Sequence, residues 1–223
     1  MLNLQNISYS HPNKSILFEQ LHLHLQPRQK MALIGNNGVG KSTLLRIIAG
    51  ELSASSGCVK TTVKPYYVPQ LVGQFTNCTV ARVLRIEKKW RALQAILNGD
   101  VSEAQLDALE EDWSIEERCK QVLANWQLSN LDLQQSIEKL SGGEKAKLLL
   151  AGMELHQPEL VLLDEPSNHL DLTARGLLYD FLGKTTAAML LVSHDRNLLN
   201  LLDLTGEMTS SGIQLYGGNY DFF

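Results

Sequence analysis

The sequence predicts an α/β fold with a mostly parallel sheet. Three short apolar runs, at Met31–Ile34, Leu160–Leu163 and Ala187–Val192, have the length and composition of buried strands. Helix-prone segments separate them, and strands that alternate with helices form parallel sheets. The first run is followed by a glycine-rich loop and then by a predicted helix at Ser42–Ala49, with Gly50 as its stop. In such folds the carboxyl ends of the strands meet at one edge of the sheet, where ligands bind.

The flanking segments predict further β structure. Leu21–Leu25 reads LHLHL, and this period-two pattern predicts a strand with His22 and His24 on its solvent face. Val59–Val68 is strand-like but punctuated by Pro65 and Pro69, and Thr205–Tyr216 predicts a closing hairpin.

Residues 79–128 are helix-prone instead. Apolar side chains recur there at helical spacing, and the acidic cluster at 107–117 predicts a solvated helix face. The residues at helical spacing are Trp90, Leu93, Ile96 and Leu97. The tryptophans, which we expect in the core or at helix contacts, are Trp90, Trp113 and Trp126.

Composition excludes several classes of protein. The 223 residues are 44% hydrophobic and 20% charged, which is ordinary for one folded domain. A net charge of -4 and a pI near 5.9 argue against a strong nucleic-acid patch. Three widely spaced cysteines without a CxxC predict reduced thiols and a cytoplasmic location. No stretch approaches the roughly 18 apolar residues of a spanning helix, so we expect no direct membrane insertion, although a membrane partner is not excluded.

The glycine-rich loop carries the first chemical motif. Its sequence GNNGVGKST matches GxxxxGK[ST], with a predicted strand before it and a predicted helix after it. Glycines let backbone N–H groups turn inward around an anion, and the helix adds its positive end. Lys41 can reach the β- and γ-phosphates, and the Ser42 hydroxyl can coordinate Mg²⁺. The predicted ATP-binding residues are Gly35, Asn36, Asn37, Gly38, Val39, Gly40, Lys41, Ser42 and Thr43.

Two adjacent carboxylates end the apolar run at Leu160–Leu163. Because that run predicts a buried strand, Asp164 and Glu165 should meet the phosphate loop at the same sheet edge. We expect Asp164 to hold Mg²⁺, directly or through water, and Glu165 to act as the general base on the attacking water.

A third motif, Leu140–Glu144, reads LSGGE. Ser141 and Glu144 have the spacing of a capping box that opens a helix at Lys145–Glu154. Gly142 and Gly143 are poor first-turn residues, costing about 1 kcal/mol each relative to alanine. They suit a bare helix end that phosphate must approach, so a structural and a ligand-binding role both remain open.

His194 follows the apolar run Ala187–Val192, within the sequence Ser193-His194-Asp195. A lone histidine is usually structural. The predicted strand end beside the other loops favours a catalytic role for His194 in sensing the γ-phosphate.

With these motifs in hand, the whole chain resembles an ATP-binding cassette (ABC) nucleotide-binding domain. GNNGVGKST resembles Walker A, VPQ the Q-loop, LSGGE the signature, LVLLDE Walker B, SNHLD the D-loop and SHD the H-switch. The resemblance implies one ATP-binding domain over 1–223, with an antiparallel β region near its N-terminus and a helical subdomain at about 75–155. It also implies Mg²⁺ contact by Gln70, a D-loop role for Asp171, and a head-to-tail pair in which Ser141, Gly142, Gly143 and Glu144 meet the partner's ATP.

Two segments resemble the ABC-F branch of this family. Asp164–Asp171 reads DEPSNHLD, with Ser167 in place of the usual threonine, and Leu215–Phe223 resembles the YxGNY segment at which ABC-F cassettes end. ABC-F proteins have two cassettes on one chain, lack membrane domains and typically act on ribosomes, and some confer antibiotic resistance. The resemblance therefore implies a ribosome-associated translation or antibiotic-resistance factor.

The chain departs from the ABC-F pattern in three ways. It contains one cassette, and it stops where the linker that reaches into the ribosome would begin. We therefore expect the first cassette of a two-cassette protein. The third departure concerns the aromatic residue that stacks on adenine in this family. The position that aligns best with it is His11, and Tyr9 lies two residues before it.

Two other functions share the nucleotide motifs. The ATPase subunit of a membrane transporter is the alternative, but it is disfavoured by the NHLD run and the YGGNY ending. A non-catalytic ATP-binding module is disfavoured by Glu165 and His194. The biological process, the ribosomal site and any antibiotic are not encoded in these residues.

Overall fold

A six-stranded sheet, five of whose strands are parallel, is the larger of two sheets in the fold. The structure is a computed structural model that describes residues 1–70 and 78–218. Numbered in chain order, the strands are β1 (Leu2–Ser10), β2 (Ile16–Leu25), β3 (Lys30–Ile34), β4 (Ser56–Thr61), β5 (Tyr66–Val68), β6 (Leu160–Asp164), β7 (Ala188–Val192), β8 (Leu204–Thr209) and β9 (Gly212–Gly217). The helices are α1 (Lys41–Ile48), α2 (Val80–Val83), α3 (Glu87–Leu97), α4 (Glu103–Leu109), α5 (Ile115–Asn125), α6 (Gly142–His156), α7 (Leu172–Lys184) and α8 (Arg196–Leu199), with a 3₁₀ turn at Ile137–Lys139.

Two compact units divide the chain. Among the described residues, the first unit comprises 1–70, 157–167 and 178–218, and the second comprises 78–156 and 168–177. The predicted helical subdomain at about 75–155 begins outside the described residues. The last five residues of the segment at 215–223 also lie outside them.

The large sheet of the first unit has the strand order β5-β6-β7-β3-β8-β9. The predicted buried runs became β3, β6 and β7, and every residue of β6 and β7 is buried. Strands buried on both faces read as continuous apolar runs, which is why the sequence predicted them well. β9 pairs antiparallel with β8, and this confirms the predicted closing hairpin.

A second sheet in the same unit is antiparallel, with the order β2-β1-β4. It confirms the β region expected near the N-terminus, and His22 and His24 lie exposed between buried leucines as predicted. The strand-like segment Val59–Val68 forms β structure on both sides of Pro65. The segment divides into β4 of this sheet and β5 of the large sheet, because Pro65 interrupts it and lacks the N–H that a continuous ladder requires.

Helices dominate the second unit. Trp126 is 1% exposed and its indole nitrogen donates to Glu154 at 2.6 Å, as expected of a core residue. Trp113 is 55% exposed, so it is not a core residue. Leu97 also faces solvent, since it lies in the last turn of α3.

The predicted acidic helix face is also divided. Its residues span the end of α4, a connecting turn and the start of α5, although most of them are solvated as expected. Glu110 makes an ion pair with Lys89 and Asp112 makes one with Arg118, so part of the cluster joins the helices. In the described ranges, each helix is too short or too polar to cross a bilayer.

Candidate active site

The phosphate loop connects β3 to α1, as the motif requires. Gly35, Gly38 and Gly40 all have positive φ angles, of 147°, 80° and 106°. A Cβ atom on Gly35 would lie 2.4 Å from the Met208 carbonyl oxygen, and one on Gly40 would lie 2.7 Å from the Phe18 ring. Both positions therefore require glycine by packing as well as by backbone angle.

The first turn of α1 is available to an anion. Gly40 is its N-cap residue, and no side chain caps the helix within the described part of the chain. Uncapped N–H groups at a helix start, together with the helix dipole, favour phosphate. The start of α1 therefore has the arrangement that the predicted phosphate loop requires.

Lys41 lies inside its own loop. Its ammonium group donates to the carbonyl oxygens of Gly35 at 2.7 Å and Asn36 at 3.1 Å. Burial lowers the pKa of Lys41, and the nearby carboxylates of Glu165 and Asp164 act in the opposite direction. Lys41, which the sequence assigned to the phosphates, is therefore held by hydrogen bonds to the loop itself.

Asp164 joins the phosphate loop to the end of β6. Its carboxylate is 2% exposed and accepts hydrogen bonds from the Ser42 hydroxyl at 3.0 Å and, on the other oxygen, from the Tyr67 hydroxyl at 3.4 Å. Burial raises the pKa of Asp164, against which both hydroxyl donors act. The convergence of Ser42 with Asp164, predicted from strand order alone, is present. Tyr67 was not predicted, although it directly precedes the VPQ sequence that resembles the Q-loop.

Glu165 and His194 contact each other at the ends of neighbouring strands. The His194 backbone N–H donates to the Glu165 carboxylate at 3.3 Å, and the imidazole Nε2 lies 3.4 Å from its other oxygen. Glu165 has a left-handed backbone, with φ of 49°, and its own N–H donates to Val192 at 2.8 Å. Burial raises the pKa of Glu165, and His194 opposes that shift. A carboxylate with a raised pKa can accept a proton from water near neutral pH.

A small cavity of about 190 Å³ opens beside these groups. Its lining brings Gly35 and Lys41 of the phosphate loop to the same space as Ser193 and His194. The structure therefore brings together five predicted site residues from three loops. These are Lys41, Ser42, Asp164, Glu165 and His194.

A divalent cation has suitable oxygen donors here. Ser42 and Asp164 supply a hydroxyl and a carboxylate, which with phosphate oxygens and water form the ligand set that Mg²⁺ prefers. Within residues 1–70 and 78–218, no group of three or more histidine, cysteine or acidic side chains could hold an ion alone. The donor set thus fits an ion that arrives with a nucleotide. Gln70 lies two residues beyond β5, at the same sheet edge as Asp164, since β5 and β6 run parallel.

The two candidates for adenine stacking pack against each other. Tyr9 and His11 meet edge-to-face with ring centroids 5.7 Å apart, and Tyr9 also lies 6.2 Å from the Phe18 ring. Phe18 is the residue that contacts Gly40. The pair therefore lies one side chain away from the phosphate loop, with His11 exposed and Tyr9 partly buried.

In the second unit, the signature motif opens α6 with the predicted capping box. The Ser141 N–H and hydroxyl donate to Glu144 at 2.9 and 2.8 Å, and the Glu144 N–H donates back to the Ser141 hydroxyl at 3.2 Å. The helix begins at Gly142, three residues earlier than predicted. A Cβ atom on Gly143 would lie 3.0 Å from the His169 carbonyl oxygen, so this glycine also has a packing reason.

Asp171 begins α7 in the same unit. One of its carboxylate oxygens accepts the Ala174 N–H at 2.8 Å, and the other lies 3.7 Å from the Lys147 ammonium group on α6. The Ala174 N–H is the main cause of the lowered pKa of Asp171. Asp171 is therefore an N-cap residue of α7, a local role that the sequence did not predict.

The sheet topology, the phosphate loop and the acidic strand end together define an ATP-binding cassette of the P-loop ATPase class. The family described as "ABC transporter" matches residues 18–168, and the chain belongs to this family. The chain is one cassette with ATPase function, as predicted.

Longer relatives match nearly the whole chain. YdiF of Bacillus subtilis, named as an ATP-binding protein, is 31% identical over 100% of this chain and 32% of its own length. TlrC of Streptomyces fradiae, named a tylosin resistance ATP-binding protein, is 33% identical over 98% of this chain and 44% of its own. The chain thus spans about a third to under a half of the length of these relatives.

Solved structures share the fold. The ATP-binding subunit of an ABC transporter superposes with a TM-score of 0.75 at 22% identity, over 100% of this chain and 91% of that one. A dimeric ABC transporter cassette also gives 0.75, at 17% identity, over 97% and 98%. At these identities the likeness supports the α/β cassette fold and nothing finer.

Proposed function

We propose that this cassette binds ATP at Gly35–Thr43 and hydrolyses it in a Mg²⁺-dependent reaction, as one part of an ABC-F-type protein. The hydrogen bond from Ser42 to Asp164, at 3.0 Å, carries this proposal, because it joins the phosphate loop to the acidic end of β6. That junction is where the two oxygen donors for Mg²⁺ meet the helix end that favours phosphate.

The residues have separate roles. Lys41 and the N–H groups of the loop bind the phosphates, while Ser42 and Asp164, with Gln70, hold Mg²⁺. Bound Mg²⁺ neutralises charge on the β- and γ-phosphate oxygens. Glu165 accepts a proton from the attacking water, supported by its buried carboxylate.

His194, which lies beside the Glu165 carboxylate, contacts the γ-phosphate in this proposal. Its side chain is 67% exposed, so the imidazole can turn from Glu165 towards a ligand. Tyr9 and His11 form the adenine side of the site, an arrangement supported by the contact of Phe18 with both Tyr9 and the loop.

A second cassette completes the site. We propose a head-to-tail pair in which Ser141, Gly142, Gly143 and Glu144 of one cassette meet ATP held by the other, with Asp171 facing the partner. The solved dimeric cassette with this fold supports pairing as such. The capping box leaves further N–H groups of the first turn of α6 for a partner's phosphate.

The whole protein, in this proposal, acts on the ribosome in translation or antibiotic resistance. The support is the likeness to TlrC, whose name records tylosin resistance, and the DEPSNHLD segment. The transporter subunits among the solved structures are too distant in sequence to favour the alternative.

The ATPase is tested by phosphate release from the purified protein with and without Mg²⁺. Glu165→Gln should retain ATP binding and lose hydrolysis, because the isosteric amide accepts no proton. Lys41→Ala should weaken ATP binding itself. Hydrolysis by Glu165→Gln at the wild-type rate would remove Glu165 from the role of base.

The pair is tested by sedimentation of Glu165→Gln with and without ATP. We expect a monomer without ATP and a dimer with it. Ser141→Asp, added to this variant, keeps a good N-cap but sets a negative charge against the phosphate, so the dimer should be lost. Ser141→Asn is the matched neutral cap and should lose less. A dimer that forms equally in all variants would exclude the head-to-tail arrangement.

Ribosome association is tested by co-sedimentation of the full-length protein carrying Glu165→Gln with ribosomes in ATP. Enrichment over the Lys41→Ala variant supports the ribosomal role. Co-purification with a membrane protein, and no ribosome pellet, would favour a transporter subunit instead.

A further inference from the structure

Tyr179 of α7 donates a hydrogen bond to Asp195, the residue that follows His194. The distance from its hydroxyl to the Asp195 carboxylate is 2.6 Å, among the short hydrogen bonds that charged acceptors form. We propose that Tyr179 is a positioning residue for the reaction, because it fixes the turn that presents His194. This inference rests on the proposed ATPase function.

The His194 side chain has little packing to hold it. It is 67% exposed, and its described contacts are with the Glu165 carboxylate. The position of the imidazole therefore depends on the backbone of the turn at 193–195. A side chain that must reach a phosphate at hydrogen-bond distance loses efficiency when its backbone moves by even about 1 Å.

Asp195 is the anchor of that turn. Its N–H donates to the Ser193 hydroxyl at 3.0 Å, so the residues on both sides of His194 are joined. One Asp195 oxygen accepts the N–H groups of Asn197 and Leu198, which caps α8. The other oxygen accepts the Tyr179 hydroxyl.

One Asp195 carboxylate oxygen makes the local contacts in the chain, and the other makes the long-range contact. The cap holds Asp195 to α8, a short helix of four residues whose Leu198 and Leu199 are buried. Tyr179 ties it to α7, whose neighbouring residues Leu178 and Leu182 are fully buried. Removing the Tyr179 hydroxyl leaves the cap intact but releases the turn from the packed helix.

The test compares Tyr179→Phe with a matched control, Tyr216→Phe. Tyr216 also donates to a carboxylate, Glu207 at 3.1 Å, on strands outside the site. Tyr179→Phe should lower kcat on the order of tenfold or more, with little change in ATP affinity, and Tyr216→Phe should lower neither. In the His194→Ala background, Tyr179→Phe should cause no further loss. An equal loss with and without His194 overturns the proposal.

A second measurement needs no hydrolysis, so it separates failure of this inference from failure of the ATPase proposal. The imidazole nitrogen signals of ¹⁵N-histidine protein, with His194 assigned by its loss in His194→Ala, should shift or broaden for His194 in Tyr179→Phe and stay unchanged in Tyr216→Phe. An unchanged His194 signal in Tyr179→Phe overturns the proposal. If that variant does not fold, Asp195→Asn tests the same hydrogen bond, because it replaces the charged acceptor with a neutral amide.

Discussion

The Tyr67 hydroxyl donates to the Asp164 carboxylate oxygen that Ser42 leaves open. The two donors lie 3.4 and 3.0 Å from separate oxygens of a side chain that is 2% exposed. Burial, with the Asp164 charge beside it, raises the pKa of Tyr67 above its usual range, so the phenol keeps its proton and remains a donor at neutral pH. Asp164 is therefore oriented by β5 as well as by the phosphate loop.

Tyr67→Phe should loosen this carboxylate. We expect the free energy of unfolding to fall by about 1 kcal/mol, the net value of a buried hydrogen bond. ATP affinity should fall by roughly three- to tenfold in Mg²⁺, for the same reason, and stay constant in excess chelator. Isothermal titration in both buffers measures the difference. Equal weakening with and without Mg²⁺ would show that Tyr67 acts on the nucleotide site as a whole.

Gly35→Ala should damage the phosphate loop through packing. The new methyl group would lie 2.4 Å from the Met208 carbonyl oxygen, so β8 or the loop must move. We expect a loss of about 1–3 kcal/mol in unfolding free energy, with weaker ATP binding, measured by urea denaturation and nucleotide titration. Gly176→Ala is the control. It lies on α7 with open space around it, and alanine should stabilise that helix by up to about 1 kcal/mol.

Glu144→Ala should weaken the start of α6. The change removes the acceptor of the Ser141 N–H and hydroxyl, a loss of about 1 kcal/mol by analogy with other cap substitutions. The Ser141 N–H lowers the pKa of Glu144, so its contribution is present above the ordinary value of 4.5 and is lost as pH falls through the lowered pKa. Thermal melts of both proteins at neutral and acid pH should therefore converge at low pH. A constant gap would mean that Glu144 acts through packing.

His156 should make the stability of the protein depend on pH near neutrality. It ends α6, where its Nε2 lies 2.7 Å from the Leu84 carbonyl oxygen, and burial lowers its pKa below 6.5. The unfolded chain then binds the proton more readily, so unfolding free energy falls as pH drops through 6.5 towards the lowered value. His156→Gln retains a donor for Leu84 without this titration. Denaturation at pH 7.5 and 5.5 should show a smaller decrease for His156→Gln than for the wild type.

Most of the active site could be predicted because its residues follow buried parallel strands. Such strands are continuous apolar runs, and their order along the chain places Ser42, Asp164, Glu165 and His194 at one edge. The division of Val59–Val68 between two sheets could not be predicted in this way, since Pro65 marks an interruption but does not say which sheet each half joins.

Tyr67 and Tyr179 escaped prediction for a different reason. A buried tyrosine such as Tyr67 or a partly buried one such as Tyr179 has the same sequence pattern as any core aromatic, and only the structure shows which carboxylate its hydroxyl reaches. Trp113 differs, because an aromatic residue expected in the core or at helix contacts is mostly exposed. Trp113 lies in the turn between α4 and α5, so helical spacing carries no information about its exposure.

The left-handed backbone of Glu165 has an evolutionary consequence. A residue with a side chain at φ of 49° costs the fold about 1–2 kcal/mol, a cost that glycine avoids. In the proposed role of Glu165 as the general base, selection for hydrolysis keeps glutamate at this position although glycine would give a more stable fold. A cassette released from that selection should drift towards glycine or asparagine here while its phosphate loop persists. Glycine or asparagine at the position of Glu165 in a related chain would mark a domain that still binds nucleotide but no longer hydrolyses it.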